Sequence, residues 1–131
     1  MIKGIEHIGI CARDTDSMKD WYIKLFGCGI AYENNKTPRT YILYFPDGSM
    51  VELYPAGECS EPCGNKVSGI RHLALAAEDF EAMCRTLRDN KVEIAEEAKT
   101  SASGVRTIFF RDPEGNLYHL VDRPAPLVPG V

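Results

Sequence analysis

Residues 3–11 alternate apolar and other positions with the two-residue period of a strand. Asp14-Thr15-Asp16 then supplies a helix start. Met18, Trp21, Tyr22 and Leu25 follow at the spacing of one helical face, which predicts a core position for Trp21. Gly27 is the stop. A short strand is expected near 29–32. Tyr41-Ile42-Leu43-Tyr44-Phe45 reads as another, Pro46-Asp47-Gly48 turns it, and 50–54 runs back.

The same order then repeats. Residues 69–76 read as a strand, and Phe80, Met83, Cys84 and Leu87 line a helix ending near Asn90. A short strand near 92–96 precedes a strand at 105–111. The turn Asp112-Pro113-Glu114-Gly115 and a returning strand at 117–121 close the copy. The pattern predicts an α+β protein of two β-α-β-β-β modules, residues 3–55 and 69–122, joined by a connector at 55–68. Together they are expected to form a single domain with a curved-sheet cup. A Pro-rich tail, 124–131, is expected to be weakly ordered.

The chain has three histidines, and all stand at matching points of this repeat. His7 opens the first copy and His72 the second, while His119 closes the second and Glu52 closes the first. His7 and Glu52 are 45 positions apart, His72 and His119 47. Gly48 precedes Glu52 by four residues, as Gly115 precedes His119. Strand alternation puts His7 on a face with Ile5, Gly9 and Cys11, and His72 with Ile70, Ala74 and Ala76. Small neighbours leave room for a ligand there, while Ile8, Ile10, Leu73 and Leu75 on the other faces would meet the helices. Glu52, inside Met50-Val51-Glu52-Leu53-Tyr54, is expected to be buried, where an unpaired carboxylate is costly and a cation removes the cost. Imidazole and carboxylate are the common ligands of divalent Zn, Ni, Co, Mn and Fe. The expectation is one such ion held by His7, Glu52, His72 and His119, with a metal-free polar cluster as the alternative.

Composition narrows the partners. The 131 residues are 44% hydrophobic and 26% charged, with a net charge of −4, which speaks against nucleic acid or an anionic membrane as the main partner. No apolar run reaches the length of a membrane span. The chain enters its first strand at once with no signal peptide, so a cytoplasmic location is expected. The five cysteines are expected to be free thiols, and Cys59 and Cys63, in the connector, have neither redox nor zinc-ribbon spacing.

With its duplication and the segments Ile5-Glu6-His7-Ile8, Met50-Val51-Glu52-Leu53, Ile70-Arg71-His72-Leu73-Ala74 and Phe110-Arg111-Asp112-Pro113-Glu114-Gly115-Asn116-Leu117-Tyr118-His119-Leu120, the chain resembles the vicinal oxygen chelate superfamily. Its members include glyoxalase I, methylmalonyl-CoA epimerase, extradiol dioxygenases, and fosfomycin and bleomycin resistance proteins. The resemblance runs from Ile5 to Asp122 and selects the same four ligands. It implies a divalent ion that chelates two neighbouring substrate oxygens and stabilises an enolate or oxyanion, or holds O₂ beside the substrate. Bacterial glyoxalase I is closest in ligand pattern, but its final glutamate is His119 here. The family's carboxylates double as proton-shuttling bases, so that work falls to Glu52.

The glutathione-holding arginine and asparagine of glyoxalase I are replaced by Cys11 and Ala56. The resemblance thus implies a metal-dependent lyase or isomerase that removes a proton next to a metal-bound carbonyl of a small metabolite, an α-hydroxycarbonyl or a 2-oxo acid. Cys11, Arg39 and Tyr41 are weaker substrate candidates, Arg39 for an anionic group. Arg106 holds the equivalent place in the second copy, and Tyr44 and Tyr54 could line the pocket. Two alternatives stand beside this reading. One is an extradiol-type iron dioxygenase using His7, His72 and Glu52, although His119 would crowd its open face. The other is a non-catalytic binder of a small molecule such as an antibiotic. The relatives are mostly homodimers, in many of which modules from two chains complete each cup, so a metal site shared between chains is also implied.

Overall fold

The computed structural model describes residues 1, 5–57 and 70–129. The chain divides into two compact units, Met1–Pro62 and Cys63–Val131. Unit 1 runs β1 (His7–Ala12), α1 (Thr15–Phe26), β2 (Gly29–Glu33), β3 (Tyr41–Tyr44) and β4 (Met50–Pro55). Unit 2 runs β5 (His72–Ala76), α2 (Phe80–Asp89), β6 (Glu93–Thr100), β7 (Arg106–Arg111) and β8 (Leu117–Asp122). The α+β architecture of two β-α-β-β-β units is the one the pattern predicts. β6 extends to Thr100, past the short strand expected at 92–96, through register shifts against β7. The connector cysteines, Cys59 and Cys63, lie outside the described residues.

Each unit holds one four-stranded mixed sheet, in the orders β1-β4-β3-β2 and β5-β8-β7-β6. The first strand of each unit pairs in parallel with its last, and the other pairs are antiparallel. A parallel pair requires a crossover, and the helix provides it. Both helices start on an aspartate: Asp14 accepts from Ser17 N at 2.9 Å and Asp79 from Ala82 N at 2.9 Å. α1 stops at Gly27 in the left-handed region, φ 66°.

One face of each sheet carries the core. In unit 1, Leu43, Val51 and Leu53 are sealed with Met18, Tyr22 and Leu25 of α1. In unit 2, Ile108, Phe110 and Leu120 are sealed, as are Phe80, Cys84 and Leu87 of α2. Each such side chain contributes roughly 1.5–3 kcal/mol through burial. Trp21 is half-buried rather than sealed, because it sits at the margin of the α1 stripe with its edge on Phe26 and Tyr22. Ile8, Ile10, Leu73 and Leu75 are likewise half-buried.

The hairpin leading into the last strand turns in the same way in both units. Gly48 N donates to Phe45 O and Phe45 N to Ser49 O; Gly115 N donates to Asp112 O and Asp112 N to Asn116 O. Both glycines take a left-handed φ, 89° and 88°, which ordinary residues resist. The residue that anchors the turn differs. Phe45 packs against Tyr22 and Phe26. Asp112, 3% exposed, accepts from Glu114 N, Asn116 N, Asn116 Nδ2 and Tyr118 Oη at 2.7–3.0 Å.

Removing the Asp112 carboxylate strands those donors in a buried place. Asp112→Ala is expected to lose about 3 kcal/mol of stability and Tyr118→Phe about 1 kcal/mol. Urea unfolding midpoints measure both, and an Asp112→Ala midpoint equal to wild type would remove the carboxylate from this role.

Candidate functional site

The parallel ladders set the site residues. Gly9 stands opposite Glu52 in unit 1, and Ala74 stands opposite His119 in unit 2. His7 lies two residues before Gly9, and His72 two before Ala74. With a side-chain period of two, each ladder carries its histidine and second donor on one face, away from the sealed core. The two pairs occupy identical register positions.

In unit 1, His7 is exposed and Glu52 half-buried. The expectation of a buried Glu52 is therefore corrected: its neighbours Val51 and Leu53 point to the core, and alternation turns Glu52 outward. His7 Nδ1 donates to Glu6 Oε2 at 2.5 Å, which leaves Nε2 as the free donor atom. The bond to Glu6 raises the His7 pKa above its usual value. The charges of Glu6 and Glu52 add to the rise, and desolvation opposes it.

In unit 2, the His72 and His119 rings are 5.0 Å apart, tilted by 59°. Phe109, directly opposite His119 in the ladder, stacks on that ring at 4.6 Å and meets His72 edge-on at 6.4 Å. His119 Nδ1 faces Leu120 O at 3.3 Å. Burial holds the His119 pKa below its usual value, helped by the His72 and Arg123 charges and opposed by the Leu120 bond. A lowered pKa keeps this imidazole neutral near pH 7, the form that binds metals.

Among the described residues, no group of three or more His, Cys, Asp or Glu side chains stands close enough to hold a metal ion. Each unit by itself supplies a pair. In kind, three imidazoles and one carboxylate, with His119 held neutral, fit a borderline divalent ion such as zinc, nickel, cobalt, manganese or iron.

Tyr41 is not on this face. It stands opposite Leu53, is buried on the core side of β3, and donates its hydroxyl to Asp16 of α1. Arg39 pairs with Glu33 at 3.5 Å and lines a hollow of about 290 Å³ with Asp16, Lys36, Thr37, Pro38 and Tyr41. That hollow adjoins the start of α1, not Glu52. Arg106 is held by Asp122 at 2.7 Å and Glu81 at 3.2 Å, with its guanidinium over the Phe80 ring. Cys11 does belong to the open face, exposed and opposite Tyr54. Cys28 and Cys84 are buried thiols: burial pushes Cys28 up to about 11 and raises Cys84, so neither is a ready nucleophile.

Two contacts escape a reading of the sequence. Phe109 sits in the run Ile108-Phe109-Phe110, where a continuous apolar stretch hides the two-residue alternation. Glu6 lies in the segment Ile5-Glu6-His7-Ile8, but nothing there marks it as the partner of His7.

The model of the Glyoxalase/Bleomycin resistance protein/Dioxygenase superfamily matches residues 4–120. No significant match is found among curated proteins. Among solved structures, a glyoxalase family protein from Enterococcus faecalis is similar, with 24% identity over 92% of this chain and 98% of that one, and a TM-score of 0.77. A glyoxalase/dioxygenase from Nostoc punctiforme has 22% identity over 94% and 92%, with a TM-score of 0.78. The fosfomycin resistance protein FosX from Listeria monocytogenes has 19% identity over 92% and 93%, with a TM-score of 0.73. At these identities the three share the fold.

The histidine environments predict a titration order in metal-free protein. His7 is expected to titrate above 6.5 and His119 below it. The two act on stability with opposite signs. His7 contributes stability that is present below 6.5 and lost as pH rises through its raised pKa. His119 contributes stability that is present above 6.5 and lost as pH falls through its lowered pKa. Imidazole proton shifts in an NMR titration test the order, and a His119 midpoint above that of His7 would reverse it.

Proposed function

The chain belongs to the glyoxalase/bleomycin resistance protein/dioxygenase superfamily, and on that footing we propose that it is a divalent-metal-dependent lyase or isomerase of the glyoxalase-like type. Its substrate is a small metabolite with two neighbouring oxygens, an α-hydroxycarbonyl or a 2-oxo acid. The observation that carries the reading is the identical register of the pairs His7/Glu52 and His72/His119. Those four residues would hold one ion, within one chain or across a homodimer. When bound, the ion supplies Lewis acidity toward the two substrate oxygens.

The chain's own residues supply the rest. Glu52 carries its carboxylate on an open face, half-exposed, where it can take a proton from the carbon beside the substrate carbonyl. An imidazole whose lone pair is spent on a ligand bond is no base, so His119 cannot replace it. Phe109, stacked on His119, fixes the ring and excludes water from one side. The Glu6 carboxylate engages His7 Nδ1 and leaves Nε2 as the atom for a ligand bond. Among the described residues no helix is long and apolar enough to cross a membrane. The reading places the protein in the cytoplasm, where the thiols of Cys11, Cys28 and Cys84 stay reduced.

Protein purified without chelators or a metal-binding tag is expected to contain one divalent ion per site. Glu52→Gln should keep the ion and lose at least about 100-fold in solvent-deuterium exchange at the carbon beside the carbonyl of an accepted substrate. Full exchange by Glu52→Gln with the ion in place would sink its role as base. Iron at one per site, with O₂ consumed on a catechol, would replace the reading with a dioxygenase. Absence of bound metal after reconstitution would leave a small-molecule binder.

A further inference from the structure

The six tyrosines divide by sheet face. Tyr41 and Tyr118 are buried on the core faces and donate to Asp16 and Asp112. Tyr22 is sealed in α1. The other three share the open face of unit 1. Tyr54 lies two residues after Glu52, Tyr44 stands opposite Met50, and Tyr32 stands opposite Ile42, which itself faces Glu52. They are 54% (Tyr32), 45% (Tyr44) and 39% (Tyr54) exposed, and their hydroxyls have no hydrogen-bond partner among the described residues. For a sheet that buries its one other tyrosine, Tyr41, three such phenols on one face is an uneven distribution.

Two glycines shape this face. A Cβ on Gly9 would lie 3.2 Å from Tyr54 Cε1 and 3.9 Å from Glu52 Oε1. The Tyr54 ring therefore leans back over Gly9, next to the Glu52 carboxylate. A Cβ on Gly29 would fall 2.3 Å from Tyr44 Cζ, so that ring fills the space the glycine leaves. A ring beside a glycine meets no Cβ there, which leaves room on the face for a planar group to pack on it. The strand residues of this face carry no lysine or arginine: its ionisable groups are His7, Cys11, Glu52 and the three phenols. No lysine or arginine stands on it to pair with a carboxylate or phosphate tail, and His7 is already engaged by Glu6.

We propose that Tyr54 is a substrate-binding residue that seats a neutral, planar group beside Glu52, so that aryl α-hydroxyketones are taken in preference to 2-oxo acids. The proposal rests on the assignment of Glu52 to the site. The Tyr54 ring stacks on the planar group, and its hydroxyl donates to a substrate oxygen. Unit 2 has no counterpart, because Val121 holds the equivalent place two residues after His119.

The test is isothermal titration of the full chain, as purified and after chelator treatment, with three probes. 2-Hydroxyacetophenone is neutral and planar, benzoylformate is planar and anionic, and hydroxyacetone is neutral without a ring. Chelator-treated protein is expected to bind 2-hydroxyacetophenone at least about tenfold more tightly than either of the others. Tyr54→Phe should weaken that binding about fivefold through loss of the hydroxyl, and Tyr54→Ala further. Gly9→Ala, which pushes on the ring, should weaken it too. None of the three should change the ion content of the purified protein.

Equal or reversed probe affinities, no binding of 2-hydroxyacetophenone, or Tyr54 variants that bind as wild type would each overturn the proposal. If the ion is bound and the Tyr54 variants are silent, the proposal fails and the metal-enzyme reading stands. If the wild type holds no ion yet keeps the ring-dependent, Tyr54-dependent preference, the metal-enzyme reading fails and the proposal stands.

Discussion

The parallel pairing of the first strand with the last, in each unit, is the constraint on which the site depends. Gly9 opposite Glu52 and Ala74 opposite His119 fix which side chains share a face. A slip of one residue would turn Glu52 and His119 toward the helices and bring Val51 and Tyr118 out to water. That alternative is strongly disfavoured, because Val51, Leu53, Tyr118 and Leu120 are all sealed in the register that forms. The core thus holds the donors in place although it does not touch a ligand itself. The turn anchors act in the same direction, since they decide where the last strand begins.

Much of this was legible in the sequence because the duplication is written twice. The alternation around His7 and His72, the helical stripes of α1 and α2, and the two Gly-marked turns each repeat, and the repeat converts weak local signals into one consistent frame. Side-chain direction was legible only where the alternation is clean. At Glu52 the apolar neighbours suggested burial, but those neighbours take the core side and leave the carboxylate half-exposed. Tyr41 misled for the same reason: in an aromatic and apolar run nothing marks which face is open, and the pairing with Leu53 decides it. Phe109 was hidden likewise. Arg39 and Arg106 share a place in the repeat, yet their partners differ, and partners are a tertiary property.

The two units, alike in backbone, have diverged in what supports each donor. Unit 1 puts three tyrosines on the face that carries Glu52 and gives His7 a carboxylate neighbour. Unit 2 pairs two imidazoles and covers one with a phenyl ring. The first arrangement gathers carboxylates, and in the second burial opposes protonation of His119. The same backbone thus carries a carboxylate-bearing face in one unit and an imidazole-bearing face in the other.

The stacking of Phe109 on His119 has a further consequence for side-chain freedom. A side chain clamped between a neighbouring ring and a backbone carbonyl has given up its rotational freedom when the protein folds. His7, exposed at the first residue of its strand, retains more of that freedom, and Glu52 is half-open to solvent. The imidazole pair is therefore the more ordered of the two once the chain has folded, and the histidine–glutamate pair keeps more side-chain freedom. The entropic loss of engaging any ligand would therefore be larger at the histidine–glutamate pair than at the imidazole pair.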